Sequence, residues 1–135
     1  MLLKAERRLL LFCRELLLVS YDVALGAAPA GHKQRQGDGR TPEGRYTLDW
    51  RLAESAYHRS IHVSYPNAED QARARAAGVT PGGGIMIHGL PNELGEIGAA
   101  HRAADWTDGC IAVTNEEIEQ IWSLVPDGTP IEILP

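Results

Sequence analysis

The clearest periodicity lies near the C-terminus, where Ile118, Ile121, Trp122 and Val125 recur at i, i+3, i+4 and i+7. That spacing gathers the apolar side chains on one helical face. Thr114, with Glu117 three positions on, supplies a capping box to start the helix. Pro126-Asp127-Gly128 is a turn, and Thr129–Leu134 reads as a last strand. Upstream the pattern shortens to a period near two. Arg8–Phe12 and Leu16–Val23 read as a hairpin turning at Cys13–Glu15, with Val19–Leu25 continuing as strand. Arg45–Leu52 alternates through Tyr46, Leu48, Trp50 and Leu52. Ser60–Tyr65 alternates again, Ile61, Val63 and Tyr65 opposite His62, until Pro66 stops it. Asn67 caps a helix over Ala68–Ala77 that Gly78 ends. Ile85-Met86-Ile87 reads as a buried strand with His88 at its mouth, and Ile111-Ala112-Val113 as the strand after Cys110. Gly26–Thr41, rich in Gly, Lys, Arg and Gln, reads as a solvent loop, closed by a turn at Thr41-Pro42-Glu43-Gly44. Leu90–Asp105 has no clear period and reads as a long loop with a helical turn; loops this long in a compact domain are usually functional. The sum is six to eight short strands and two or three helices, a mainly β single domain over residues 1–135 without repeat or linker.

A chain of 135 residues, 44% hydrophobic and 23% charged, suits one globular domain with a real core. A net charge of −5 and the lack of a basic patch exclude nucleic acid as the expected partner. The leucine-rich start, with Lys4, Arg7 and Arg8, superficially resembles an export signal. Its apolar run Leu9–Cys13 is too short and Arg14-Glu15 interrupts it, so neither an export signal nor a membrane segment is expected in this chain. Cys13 and Cys110 make no disulfide framework.

Cys110 follows Gly109, which lets the backbone turn sharply and a ligand come close. A thiol and an imidazole on neighbouring strand ends can form a nucleophile–base pair, Cys110 with His88. Spacing alone leaves that pair and an inert buried thiol both open. Zinc through His88, His101, Asp108 and Cys110 lacks tight ligand spacing, and Gly37–Gly39 is followed by no Gly-Lys-Ser/Thr of a phosphate loop. No metal and no cofactor is expected.

His88-Gly89, a loop, and then Thr107-Asp108-Gly109-Cys110-Ile111 resemble the signature of the L,D-transpeptidase catalytic (YkuD-like) domain. Gly37-Asp38-Gly39-Arg40-Thr41-Pro42-Glu43-Gly44-Arg45-Tyr46 resembles that family's upstream loop, and the Thr114-Asn115 helix start and the Pro126–Pro130 turn also fit. The resemblance implies a β-sandwich or barrel-like domain in the bacterial envelope or periplasm, acting on peptidoglycan stem peptides. It implies Cys110 as nucleophile, His88 as base and the Gly89 carbonyl as the group orienting the imidazole. Backbone N–H groups of Gly109 and Cys110 are the expected oxyanion donors. Thr107, Asp108, His101 and Tyr65 are candidate substrate contacts. Asp108 stands where the family commonly has His, and Ala112 where it commonly has Arg. The Gly-Cys-Ile-Ala-Val-Thr-Asn run, with Ser64-Tyr65-Pro66-Asn67 and Pro81-Gly82-Gly83, is similar to a branch in which one kind of member cuts the murein–lipoprotein bond. Hydrolysis, of peptidoglycan or of its link to a lipoprotein, is therefore the alternative to acyl transfer. A catalytically silent wall-binding module is the reading from another class.

Overall fold

In a computed structural model describing residues 1–135, the chain forms β1 (Leu2–Leu3), β2 (Arg8–Cys13), β3 (Leu16–Asp22), β4 (Gly44–Ser55), β5 (His58–Val63), α1 (Ala68–Ala77), β6 (Met86–His88), a 3-10 segment (Gly95–Ala103), β7 (Ile111–Ala112), α2 (Asn115–Leu124) and β8 (Thr129–Leu134). The helices form where local sequence starts and stops them. Asn67 accepts from the Asp70 N–H while the Asp70 carboxylate reaches back, and Gly78 closes α1 in the left-handed conformation. Thr114 and Glu117 cap α2 in the same reciprocal way. β8 also falls where the pattern put it. The two-residue β1 has no period to announce it and pairs with both β2 and β8.

The strands make one eight-stranded sheet in the order β3-β2-β1-β8-β4-β5-β6-β7. Only β1–β8 and β6–β7 are parallel. Beyond β3, Ala24 pairs with Ala112 of β7 through reciprocal N–H···O bonds of 3.0 and 2.9 Å. One margin of the sheet thus meets the other, and the sheet curls into a barrel-like shell. Inside sits a cluster that includes Leu2, Leu25, Ile61, Ile87, Ile111, Ile118 and Ile133. Each such side chain contributes about 1.5–3 kcal/mol by leaving water. α2 packs its buried Ile118 and Ile121 inward and lies against β5 and β6.

The 26–41 segment departs from expectation in part. It is a loop with much of its length exposed, as expected, but buried charged groups pin it to the sheet as a wall. Thr41 is buried and Lys33 is only 3% exposed. Lys4 is buried beneath it, its Nζ donating to Gly31 O at 2.8 Å, Thr41 O at 2.7 Å and Glu43 Oε2 at 3.0 Å. Lys33 Nζ pairs with Asp38 Oδ1 at 2.9 Å. Asp38 also accepts the N–H groups of Gln34, Arg35 and Arg40. Composition misleads here because buried cations with full hydrogen bonding read as surface residues in a sequence. The 90–105 stretch likewise carries more structure than a loop, two short 3-10 turns merged across a kink at Gly98. Arg7 holds its far end, donating to Asp105 at 2.8 Å.

Candidate active site

β6 and β7 run parallel and side by side, pairing Ile87 with Ile111 and His88 with Ala112. Side chains alternate across a strand. The two isoleucines therefore enter the core, and His88 and Ala112 share the other face. Cys110 immediately precedes β7 on the Ala112 side of that alternation, so thiol and imidazole are carried by adjacent parallel strands. Gly109 makes the approach to the strand at φ 130°, a conformation that side chains rarely adopt. A Cβ there would also lie 2.6 Å from the Arg40 carbonyl oxygen. Thr41 Oγ1 donates to Gly109 O at 2.8 Å, so the packed 26–41 wall buttresses the cysteine loop. The other side is held by the Thr107 N–H to Leu25 O, at 3.1 Å, and the Ala27 N–H to Thr107 O, at 3.2 Å.

His88 is 3% exposed, and its Nδ1–H donates to its neighbour's carbonyl, Gly89 O, at 2.7 Å. That bond selects the tautomer and leaves the Nε2 lone pair as the basic position. Nε2 makes no hydrogen bond within the chain yet stays open, since the one sealed and unpartnered side-chain nitrogen in the molecule belongs to His101. Gly89 can be nothing larger. A Cβ would meet Asn115 Oδ1 at 2.6 Å, and that oxygen accepts the Leu90 N–H at 2.9 Å. Tyr57 stacks on the imidazole at 4.3 Å between centroids, and Trp106 closes a second side at 5.8 Å. Burial lowers the His88 pKa, and the bond to Gly89 works against that.

The Cys110 thiol is half-buried and reduced. It donates to Gly84 O at 3.3 Å, and no hydrogen bond joins it to His88. Burial pushes its pKa up; the Met86 N–H opposes this, the Asp108 charge reinforces it, and the Lys33 charge opposes it. A raised thiol and a lowered imidazole favour the neutral pair at rest over thiolate–imidazolium.

The remaining expected contacts divide. The Cys110 N–H has no acceptor in the chain, whereas the Gly109 N–H is already given to Thr107 Oγ1 at 3.2 Å. The Thr107 hydroxyl donates in turn to Cys110 O at 2.8 Å, so this buried residue ties the loop rather than facing a substrate. Tyr65 is a core residue and not a wall of the site; its hydroxyl donates to Pro81 O at 2.8 Å, and its ring meets those of Tyr46 and His32. An aromatic at a strand end gives no sequence signal distinguishing core from site. Asp108 is exposed on the cysteine loop. His101 is buried behind Trp106. Sequence reading passed over Tyr57 and Trp106; only the adjacency of Trp106 to Thr107 could have drawn attention. No three His, Cys, Asp or Glu side chains converge as metal ligands. No helix is long and apolar enough to cross a membrane.

Comparison with known proteins identifies the fold and the family. Over 111 residues, 81% of this chain, the sequence is 32% identical to "Putative L,D-transpeptidase YafK" of Escherichia coli K12, but it spans only 37% of that protein's length. The fold is similar to Pgp2 of Campylobacter jejuni, described as a helical cell shape determining protein, with a TM-score of 0.73 and 25% identity over 98% of this chain and 45% of that one. It is also similar, in fold alone, to an L,D-transpeptidase from Mycobacterium smegmatis, with a TM-score of 0.63 and 14% identity over 98% of this chain and 56% of that one. The family model of the YkuD L,D-transpeptidase catalytic domain matches residues 2–133, and the chain belongs to that family.

Proposed function

We propose that this chain is a cysteine acyltransferase acting on peptidoglycan stem peptides in the cell envelope, with Cys110 as nucleophile and His88 as base. The observation that carries the reading is the imidazole locked by Gly89 O, its Nε2 free, on the strand next to the cysteine. Relatives named for L,D-transpeptidation and for cell shape support a wall substrate. For deprotonation the thiol must leave Gly84 O and reach Nε2; catalytic hydrogen bonds are commonly loose before substrate arrives. As sulfur bonds to the diaminopimelate carbonyl carbon, its proton passes to His88 Nε2 and the carbonyl becomes an oxyanion. The unengaged Cys110 N–H is the donor at hand for that charge. Collapse breaks the carbon–nitrogen bond, His88 returns the proton to the departing amine, and a Cys110 thioester remains. An incoming amine, or water, then attacks the thioester while His88 accepts its proton, and the thiol is restored.

One feature keeps water in play beside an amine as the second substrate. Ala112 is 0% exposed, held against Ala24 and beside His88, at the position where the family commonly carries an arginine. Mass spectrometry of products from purified muropeptides, with and without an added amine acceptor, separates the two outcomes. Cross-linked product indicates transfer, and shortened product alone indicates hydrolysis. Intact muropeptide at every enzyme concentration refutes both.

A further inference from the structure

Gly89 stands between two peptide groups, and each is held at both ends. In the first, His88 O accepts the Val113 N–H at 3.0 Å and the Gly89 N–H donates to Tyr57 O at 3.0 Å. In the second, Gly89 O accepts from His88 Nδ1–H at 2.7 Å, and the Leu90 N–H donates to Asn115 Oδ1 at 2.9 Å. The C=O and N–H of one trans peptide point in opposite directions. The group that orients the imidazole therefore carries His88 on one end and a single side chain, Asn115, on the other. Backbone pairing, which fixes the first peptide, does not reach the second. Leu90 is buried, so its N–H has little water to turn to if Asn115 is removed.

Gly89 makes that grip both necessary and possible. Without a Cβ its backbone is the freest to rotate, and an ungripped Gly89–Leu90 peptide swings its carbonyl off the imidazole easily. The missing Cβ also leaves room for Asn115 Oδ1, which lies 2.6 Å from the place a Cβ would take. Asn115 Nδ2 lies 2.5 Å from the corresponding place on Gly95. The amide is thus wedged between two glycines that bracket the 89–95 turn. Asn115 is itself fixed as the first residue of α2, directly behind the Thr114–Glu117 capping box.

We propose that Asn115 is a positioning residue for the base: through the Gly89–Leu90 peptide it holds the carbonyl that keeps His88 in its Nδ1–H tautomer, with Nε2 as the basic position. This deepens the reading of His88 as base and rests on it. The part that a buried carboxylate plays behind a catalytic histidine is here divided between a neutral peptide and the amide that grips it. A peptide whose N–H is engaged also has a more polarised carbonyl, by roughly 10–30% per bond in a hydrogen-bonded chain. Asn115 therefore strengthens the bond to His88 as well as aiming it, and no proton moves along the chain.

The test is long-range proton–nitrogen NMR of the histidine rings in the full chain, beside steady-state kinetics on a purified stem tetrapeptide. His88→Gln identifies the His88 signals, and wild type should show the Nδ1–H tautomer alone. Asn115→Leu keeps the size and removes the acceptor. His88 should then become a mixture of tautomers, and kcat should fall on the order of tenfold with KM within about twofold. Asn115→Asp returns an acceptor oxygen and should restore the single tautomer and most of kcat. Asn115→Ser, too short to reach the Leu90 N–H, should repeat the loss and decides the matter if Asn115→Leu does not fold. An unchanged His88 tautomer in both variants overturns the proposal whatever kcat does, since any role is then structural. A kcat loss that Asn115→Asp does not restore overturns it too, as does loss of the fold in both variants. A wild-type protein that leaves the tetrapeptide intact refutes the functional reading, and the clamp is then decided by the tautomer spectra, which need no substrate.

Discussion

Asp38→Asn is the substitution whose consequence is most directly calculable. The Asp38 carboxylate accepts three backbone N–H groups, at 2.8 Å from Gln34 and 3.1 Å from Arg35 and Arg40, and pairs with Lys33 at 2.9 Å. Burial alone would raise its pKa, but these donors more than reverse that and hold it at about 2, from an ordinary 3.8. At about 1.4 kcal/mol per unit, the ionised form contributes on the order of 2–3 kcal/mol to stability. Asparagine has one acceptor oxygen where the carboxylate has two, turns an NH2 toward donors, and leaves the Lys33 charge buried and unpaired. The expected loss at neutral pH is therefore about 3 kcal/mol. Because the folded pKa is depressed, the contribution is complete above about pH 4 and fades as pH falls toward the folded value near 2. Urea unfolding of wild type and Asp38→Asn at a series of pH values reads this directly. The gap should be widest at neutral pH and narrow steadily below pH 4. A neutral-pH gap under about 1 kcal/mol, or one undiminished at pH 2, would refute the assignment of Asp38 as organiser of the wall.

Three further outcomes are expected. Gly109→Ala places a Cβ 2.6 Å from Arg40 O in a φ of 130°; it should cost at least about 2 kcal/mol in thermal or urea unfolding and abolish turnover, and a variant of wild-type stability would contradict the loop geometry. In a Cys13→Ala background, the iodoacetamide reaction of Cys110 should reach half its maximal rate above the pH of about 8.5 typical of a free thiol, because burial disfavours the thiolate; a midpoint at or below that value counts against the neutral resting pair. A carbapenem presents a strained acyl carbonyl that needs no acceptor, so intact-protein mass spectrometry should show one added drug mass, lost in Cys110→Ala and kept in Cys13→Ala; an adduct on the exposed Cys13 alone would exclude Cys110 as the reacting thiol.

The sequence by itself determined whatever depends on neighbours within a few positions. Asn67 with Asp70, Thr114 with Glu117 and the closing Gly78 set the helix ends, because a cap is satisfied within one turn. The apolar stripe through Ile118 and Ile121 set which face of α2 is buried, and alternation in 60–65 set which face of β5 enters the core. Cys110 and His88 were legible as a candidate pair because each sits beside a glycine at a strand end, whereas the role of Gly89 came only from the family resemblance. Tertiary structure decided what depends on partners far along the chain. The Ala24–Ala112 pairing that curls the sheet, and the parallel register that sets His88 opposite Ala112, have no local signature. Lys33 and Asp38 fall in a stretch that reads as solvated because charge is normally left in water, and only the assembled wall supplies the carbonyls and N–H groups that make their burial tolerable. The grip of Asn115 on the Leu90 N–H was equally invisible to the sequence, since the two lie 25 residues apart and meet only when α2 packs beside β6.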